Sequence, residues 1–196
     1  DLLRFVERAD ALLDLHSMHE PGPPLLLTGP HQRNVELACC LAAPEYVVVD
    51  AGHTEGQRMR DHGRFGDPAS NAESLLIECG WHGAKTSRHV ARYLCARFLA
   101  ATDVVDEADL PRAWRLANTA SQQVLNVTHA VVARSDNTRF AQPWVSGQRI
   151  AEAGAVLGWR EDEPFVTPYD DCTLVMPSLR QLRPGVTVMR LARQRS

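Results

Sequence analysis

Through residue 100 the sequence alternates short apolar runs with helical stretches, and this rhythm restricts the fold more than any other feature. Leu2, Leu3, Val6 and Ala9 mark one face of a helix. Ala11–His16 reads as a strand, Pro21-Gly22-Pro23-Pro24 as a turn, and Leu25–Thr28 as a second short strand. Asn34–Ala42 reads as a helix closed by Pro44, and Glu45–Asp50 as a β-branched strand. Glu73–Glu78 is the next strand, and Ser87–Leu99 a helix with Val90, Tyr93, Leu94 and Phe98 on one face. Strands alternating with helices imply an α/β fold: a mostly parallel mixed sheet with flanking helices.

The pattern changes after Ala101. Asp103–Asp109 is acidic and linker-like, and Pro111 follows. From Val124 onward short alternating runs dominate: Val124–Thr128, Ala130–Val132, Phe165–Thr167, Thr173–Met176 and Val186–Met189. Gly147, Gly154, Gly158 and Pro184-Gly185 separate them. The expected organisation is an α/β domain over residues 1–105 and an all-β domain, a small barrel or sandwich, over 112–196. The start, Asp1-Leu2-Leu3-Arg4-Phe5-Val6, is already mid-pattern for an amphipathic helix, which implies that an N-terminal portion is missing.

Composition removes several function classes. A net charge of −3 favours neither nucleic acid nor a membrane surface. No run approaches the roughly 18 apolar residues of a membrane span. The 5 cysteines are odd in number and lack metal or disulfide spacing, so a reducing cytoplasm is the expected setting. Lys85 is the only lysine; the other basic side chains are arginines, forks suited to carboxylates.

Two segments carry the chemistry. Asp14-Leu15-His16-Ser17 and Ile77-Glu78-Cys79-Gly80 each close an apolar run that reads as a buried strand. Open α/β sheets bind ligands beyond the carboxyl ends of their strands. A zinc ligand beside a general base is the use that suits such a pair. Residues two apart on a strand share a face, so Asp14 can accept the second ring N–H of His16 and fix its tautomer. The alternative is an Asp–His pair that only joins strand to helix. His19 is open between second ligand, pocket wall and solvent-facing residue. Glu78 is a general base or one half of a structural Arg–Glu pair, because a buried carboxylate needs compensation. Trp81-His82-Gly83 follows it as a further piece of pocket wall. The polar stretch Ala51–Asn71 is long enough to be functional or disordered. It carries His53, Arg58, Arg60, His62 and Arg64. His53, Arg60 and Arg64 are the candidates for holding a substrate carboxylate, against a merely solvated basic loop.

An ordered set of short motifs resembles the succinylglutamate desuccinylase/aspartoacylase family, which is related to the zinc carboxypeptidases. The set comprises Asp14-Leu15-His16-Ser17, Gly52-His53-Thr54-Glu55-Gly56, Glu78-Cys79-Gly80 with His82-Gly83, Thr167-Pro168-Tyr169-Asp170-Asp171-Cys172 and Met176-Pro177. The resemblance implies a zinc carboxypeptidase-like α/β domain capped by a C-terminal β domain. It implies one Zn²⁺ with His16 as a ligand, and Glu78 as the base that activates water. The reaction implied is hydrolysis of a small N-acyl amino acid to a carboxylate and a free amino acid, with the metal polarising the acyl carbonyl. Carboxypeptidase-like action on other amides, or a non-catalytic binding role, are the competing expectations. No nucleic-acid or membrane partner is implied, and a homo-oligomer is compatible. The family's other two zinc ligands come from an upstream His-x-x-Glu motif. None of the 8 histidines here has a glutamate three positions later, and the family's Asn-Arg substrate segment is also absent. Both are expected before Asp1.

Overall fold

The computed structural model describes residues 2–52, 58–114 and 121–195. They form two compact units, one of Asp1–Ser17 with Pro24–Val124, the other of Met18–Pro23 with Leu125–Ser196. The division falls inside a strand, at Val124/Leu125, rather than in the acidic Asp103–Asp109 stretch.

In the first unit the elements are α1 (Leu3–Arg8), β1 (Ala11–Met18), β2 (Leu25–Leu27), α2 (Gln32–Cys40), β3 (Tyr46–Val49), β4 (Glu73–Trp81) and α3 (Lys85–Ala101). The strands lie in the order β1-β4-β2-β3. The helices form where apolar residues recur at helical spacing. Tyr93, Leu94 and Phe98 of α3 and Leu37 and Ala38 of α2 are buried against Leu26, Val47, Leu75, Ile77 and Cys79. Ala11 and Leu13 of β1 pack on the same cluster. The opposite face of the sheet is covered differently: Leu12 and Met59 pack against Val6, Phe65 and Ala72.

The sheet of this unit is mixed, with two parallel pairings and one antiparallel. β2 and β3 are parallel, as a crossover through α2 requires. β4 runs antiparallel to β2, with Leu25 opposite Glu78 and Leu27 opposite Leu76. β1 runs alongside β4 in the same direction, because Glu73 N–H donates to the Asp10 carbonyl at its start and Ser17 Oγ meets His82 Nδ1 at its end. The stretch after β3 also differs from a solvated loop. Among its described residues are two 3₁₀ turns, Met59–Asp61 and Gly63–Phe65, with Arg60 and Phe65 fully buried.

The second unit holds most of β5 (Gln123–Val132), then β6 (Thr138–Phe140), β7 (Arg149–Ile150), β8 (Val156–Arg160), β9 (Glu163–Val166), β10 (Cys172–Val175) and β11 (Thr187–Gln194). Among the described residues it contains no α-helix. β5, β11, β10 and β7 pair in that order, all antiparallel. β6, β8 and β9 form a separate antiparallel sheet. Leu157, Phe165, Leu174, Met189 and Leu191 fill the core. Gly158 lies where no side chain fits: a Cβ there would fall on the Arg139 carbonyl oxygen and 2.6 Å from the Phe165 ring. Gly158→Ala should destabilise the unit by about 1–3 kcal/mol, the usual cost of overpacking. A urea midpoint equal to that of the parent protein would show that the sheet yields freely. Among the described residues, no helix is long and apolar enough to cross a membrane.

Candidate active site

Alternation along β1 and β4 decides which side chains can meet. The odd-numbered residues Ala11, Leu13, Leu75, Ile77 and Cys79 face the α2/α3 core. The even-numbered residues therefore face the other way: Asp14 and His16 from β1, Glu78 from β4. The Glu73 N–H to Asp10 carbonyl bond places the start of β4 beside the start of β1, so both strands present these side chains to the same face of the sheet. Neighbouring strands are about 4.8 Å apart. One imidazole and one carboxylate of β1 thus lie on the sheet face to which Glu78 of β4 also belongs.

On that face, His16 Nε2 lies 3.1 Å from Asp14 Oδ1. The carboxylate holds that nitrogen and leaves Nδ1 as the one able to face a metal ion. The His16 side chain is half exposed and that of Asp14 is largely covered. Glu78 is buried, at 7% exposure, and lies inside β4 rather than at its end, since the strand continues to Trp81. Cys79 offers no competing nucleophile. Its side chain points into the core, where burial, with Cys95 and Glu78 adding to it, pushes the thiol up to about 11.

His82 Nδ1 meets Ser17 Oγ at 2.6 Å, and Trp81 lies against Gly83, where an added Cβ would come 2.5 Å from the indole. His19 belongs to the second unit, where its Nε2 accepts from the Gln181 amide at 3.0 Å. His53 lies outside the described residues.

The structure does not bring the two arginines to this site. β3 and β4 run in opposite senses, so the stretch between them emerges where β4 starts, while Glu78 lies towards its end. Arg60 is fully buried there: its Nη2 donates to the Asp50 carbonyl at 2.9 Å, and the Arg60 carbonyl accepts from Ser74 Oγ at 2.6 Å. Ser74 and Glu78 are four residues apart on β4, about 13 Å. Arg64 pairs with Asp10 at 3.0 Å, six residues before His16, about 20 Å along β1. Both arginines secure the loop at the far end of the sheet. Asp50, Asp61 and Ser74, which engage Arg60, carried no motif that would have announced them.

A zinc site takes three or four protein ligands. Among the described residues, no three His, Cys, Asp or Glu side chains are gathered so as to hold a metal ion. These residues supply one imidazole with its orienting carboxylate, and do not by themselves fit a resident zinc.

No protein-family model and no curated protein matches the sequence. Solved structures do match. The fold is similar to succinylglutamate desuccinylase from Vibrio parahaemolyticus, with a TM-score of 0.63 and 15% identity, over 94% of this chain and 53% of that one. It is similar to a succinylglutamate desuccinylase/aspartoacylase from Rhodobacter sphaeroides, with a TM-score of 0.65 and 15% identity, over 98% and 60%. An aspartoacylase family protein from Mesorhizobium loti matches at 0.57 and 16% identity, over 95% and 58%. The chain therefore has the fold of this family's structures and spans little more than half of their length.

Proposed function

We propose that this chain carries the general base and one metal ligand of a hydrolase that cleaves the amide bond of N-acyl amino acids. The observation that supports it is the Asp14–His16 pair on β1, with the buried Glu78 on the same face of the neighbouring β4, in a fold like that of the desuccinylase structures. His16 is the proposed zinc ligand, oriented by Asp14. Because the described residues hold no complete ligand set, the reaction is derived from the chain's own groups.

Glu78 accepts a proton from a water molecule as the water oxygen bonds to the amide carbonyl carbon. The tetrahedral adduct collapses, the C–N bond breaks, and the proton on Glu78 passes to the departing nitrogen. The products are a carboxylate and a free amino acid. A strand mount suits this task, since rigid elements hold a base within the narrow geometry that proton transfer needs.

The test is hydrolysis of a panel of N-acyl amino acids by the native polypeptide containing this sequence, followed as release of free amine. Turnover of at least one member is expected. Release of C-terminal residues from peptides, with no action on N-acyl amino acids, would move the protein to carboxypeptidase chemistry. No turnover of either class would defeat the proposal.

The ligand assignment has its own test. His16→Ala should lower zinc affinity in the same polypeptide, and Asp14→Asn should lower it about 10–100-fold, the usual loss when an orienting partner is removed. Competition against a chelating indicator measures both. Unchanged affinity in His16→Ala would exclude it as a ligand.

A further inference from the structure

The second unit contains a cluster that this chemistry does not use. On β5 and β11, Leu191 lies opposite His129 and Ala192 opposite Val127, so Thr128 is the extra residue of a β-bulge. The Thr128 hydroxyl lies 2.6 Å from Tyr169 Oη, 3.0 Å from His129 Nδ1 and 3.1 Å from the Leu191 carbonyl oxygen. The Leu191 carbonyl only accepts, and Tyr169 Oη is also within reach of Cys172; whether Thr128 gives its single proton to that carbonyl or to Tyr169 Oη, its oxygen accepts from the His129 Nδ1–H. His129 is thereby held with Nε2 as its second, outward nitrogen.

Arg193 lies two residues beyond Leu191, which makes it a diagonal neighbour of His129 on the same face. Its guanidinium carbon lies 4.2 Å over the centre of the Tyr169 ring, and the His129 ring lies 6.4 Å from that centre. Pinning the bulge needs Thr128, Tyr169 and His129, but not Arg193. Nor is the guanidinium paired with the two acids that follow Tyr169 in sequence. Asp171 is engaged by Arg149 at 2.7 Å, and Asp170 accepts from the Ala153 N–H at 2.8 Å. Arg193 is exposed and makes no ion pair among the described residues.

We infer that Arg193 and His129, mounted on Tyr169, form a binding site for a small oxyanion, the carboxylate or phosphate group of a soluble ligand. Stacking takes the flat face of the guanidinium and leaves its N–H edge to grip two oxygens at once. The ring also holds the arginine in place beforehand, which reduces the ordering cost of binding. His129 Nε2 offers a second polar contact whose direction the Thr128 hydrogen bond has already set.

The experiment is a titration of the native polypeptide with sodium acetate and, separately, inorganic phosphate at constant ionic strength, followed by the NMR signals of the His129 ring and Arg193 Nε–H. Saturable shifts at both residues are expected. Arg193→Gln, a surface change, should weaken binding about 10-fold or more, as loss of a charge-assisted contact does. Arg183→Gln, which removes an equal charge from the exposed turn before β11, six residues of strand away from Arg193, should leave the affinity unchanged. Tighter binding of acetate assigns a carboxylate ligand, and tighter binding of phosphate a phosphate ester. Absence of saturation with both anions overturns the site. So does an equal loss in Arg183→Gln, which would reduce the effect to bulk charge.

Discussion

Glu78→Gln in the native polypeptide should lower kcat by about 10²–10⁴-fold, the range that general-base catalysis contributes. The substitution conserves shape and replaces an oxygen by a group that cannot accept the proton of water. Its effect should fall on kcat more than on KM, because proton transfer is an event of the transition state. Zinc affinity should stay close to that of the parent protein, since the proposed ligand is His16. The prediction stands on position: Glu78 is 7% exposed, faces away from the α2/α3 core, and belongs to the strand next to the one that carries Asp14 and His16. Near-normal turnover in Glu78→Gln would remove the residue from the chemistry. A coupled loss of zinc would make it a ligand instead.

The strands and helices of the first unit were legible because each is marked by local apolar spacing. The run Leu75-Leu76-Ile77 announces β4, and Tyr93, Leu94 and Phe98 announce the buried face of α3. Strand direction was not legible. It depends on which strands become neighbours, and the residues of β2 read the same whether β4 beside them runs with or against it. The end of β4 was also misplaced. Glu78 looks like a terminator, yet the strand runs three residues further, and Cys79 and Gly80 are buried with it. In the second unit the two runs Val124–Thr128 and Ala130–Val132 proved to be one strand, interrupted only by the Thr128 bulge. β7 went unseen because two residues carry no period.

The Asp14–His16 pair followed from spacing alone, since residues two apart on a strand must share a face. The arginines show the limit of such reasoning. Composition marks Arg60 as a fork for a carboxylate, but what it holds is set by residues that are distant in sequence: the Asp50 carbonyl and the Ser74 hydroxyl. No local pattern distinguishes an arginine that greets a ligand from one that ties a loop to a sheet.

That difference has a measurable consequence. Arg60→Ala should destabilise the protein by about 3–5 kcal/mol, the cost of removing one partner from a buried charged network. Arg60 is 0% exposed, and its Nε lies 3.4 Å from Asp61 Oδ2. Its Nη1 is also one of the atoms that an added Cβ at Gly29 would approach, at 3.3 Å, so the guanidinium fills the space beneath that turn. Truncation leaves a cavity, strips the Asp50 carbonyl of a donor and leaves Asp61 without this ionic partner. Arg60→Lys should recover part of the loss, because an ammonium restores the charge but not the planar fork. Chemical denaturation of the native polypeptide measures both changes. For a substrate-binding arginine the order would be reversed: Arg60→Ala would leave stability within about 0.5 kcal/mol, as ordinary surface changes do, and raise KM for carboxylate substrates instead. Under the buried-tether assignment, the fraction of Arg60→Ala that remains folded should show the parent KM.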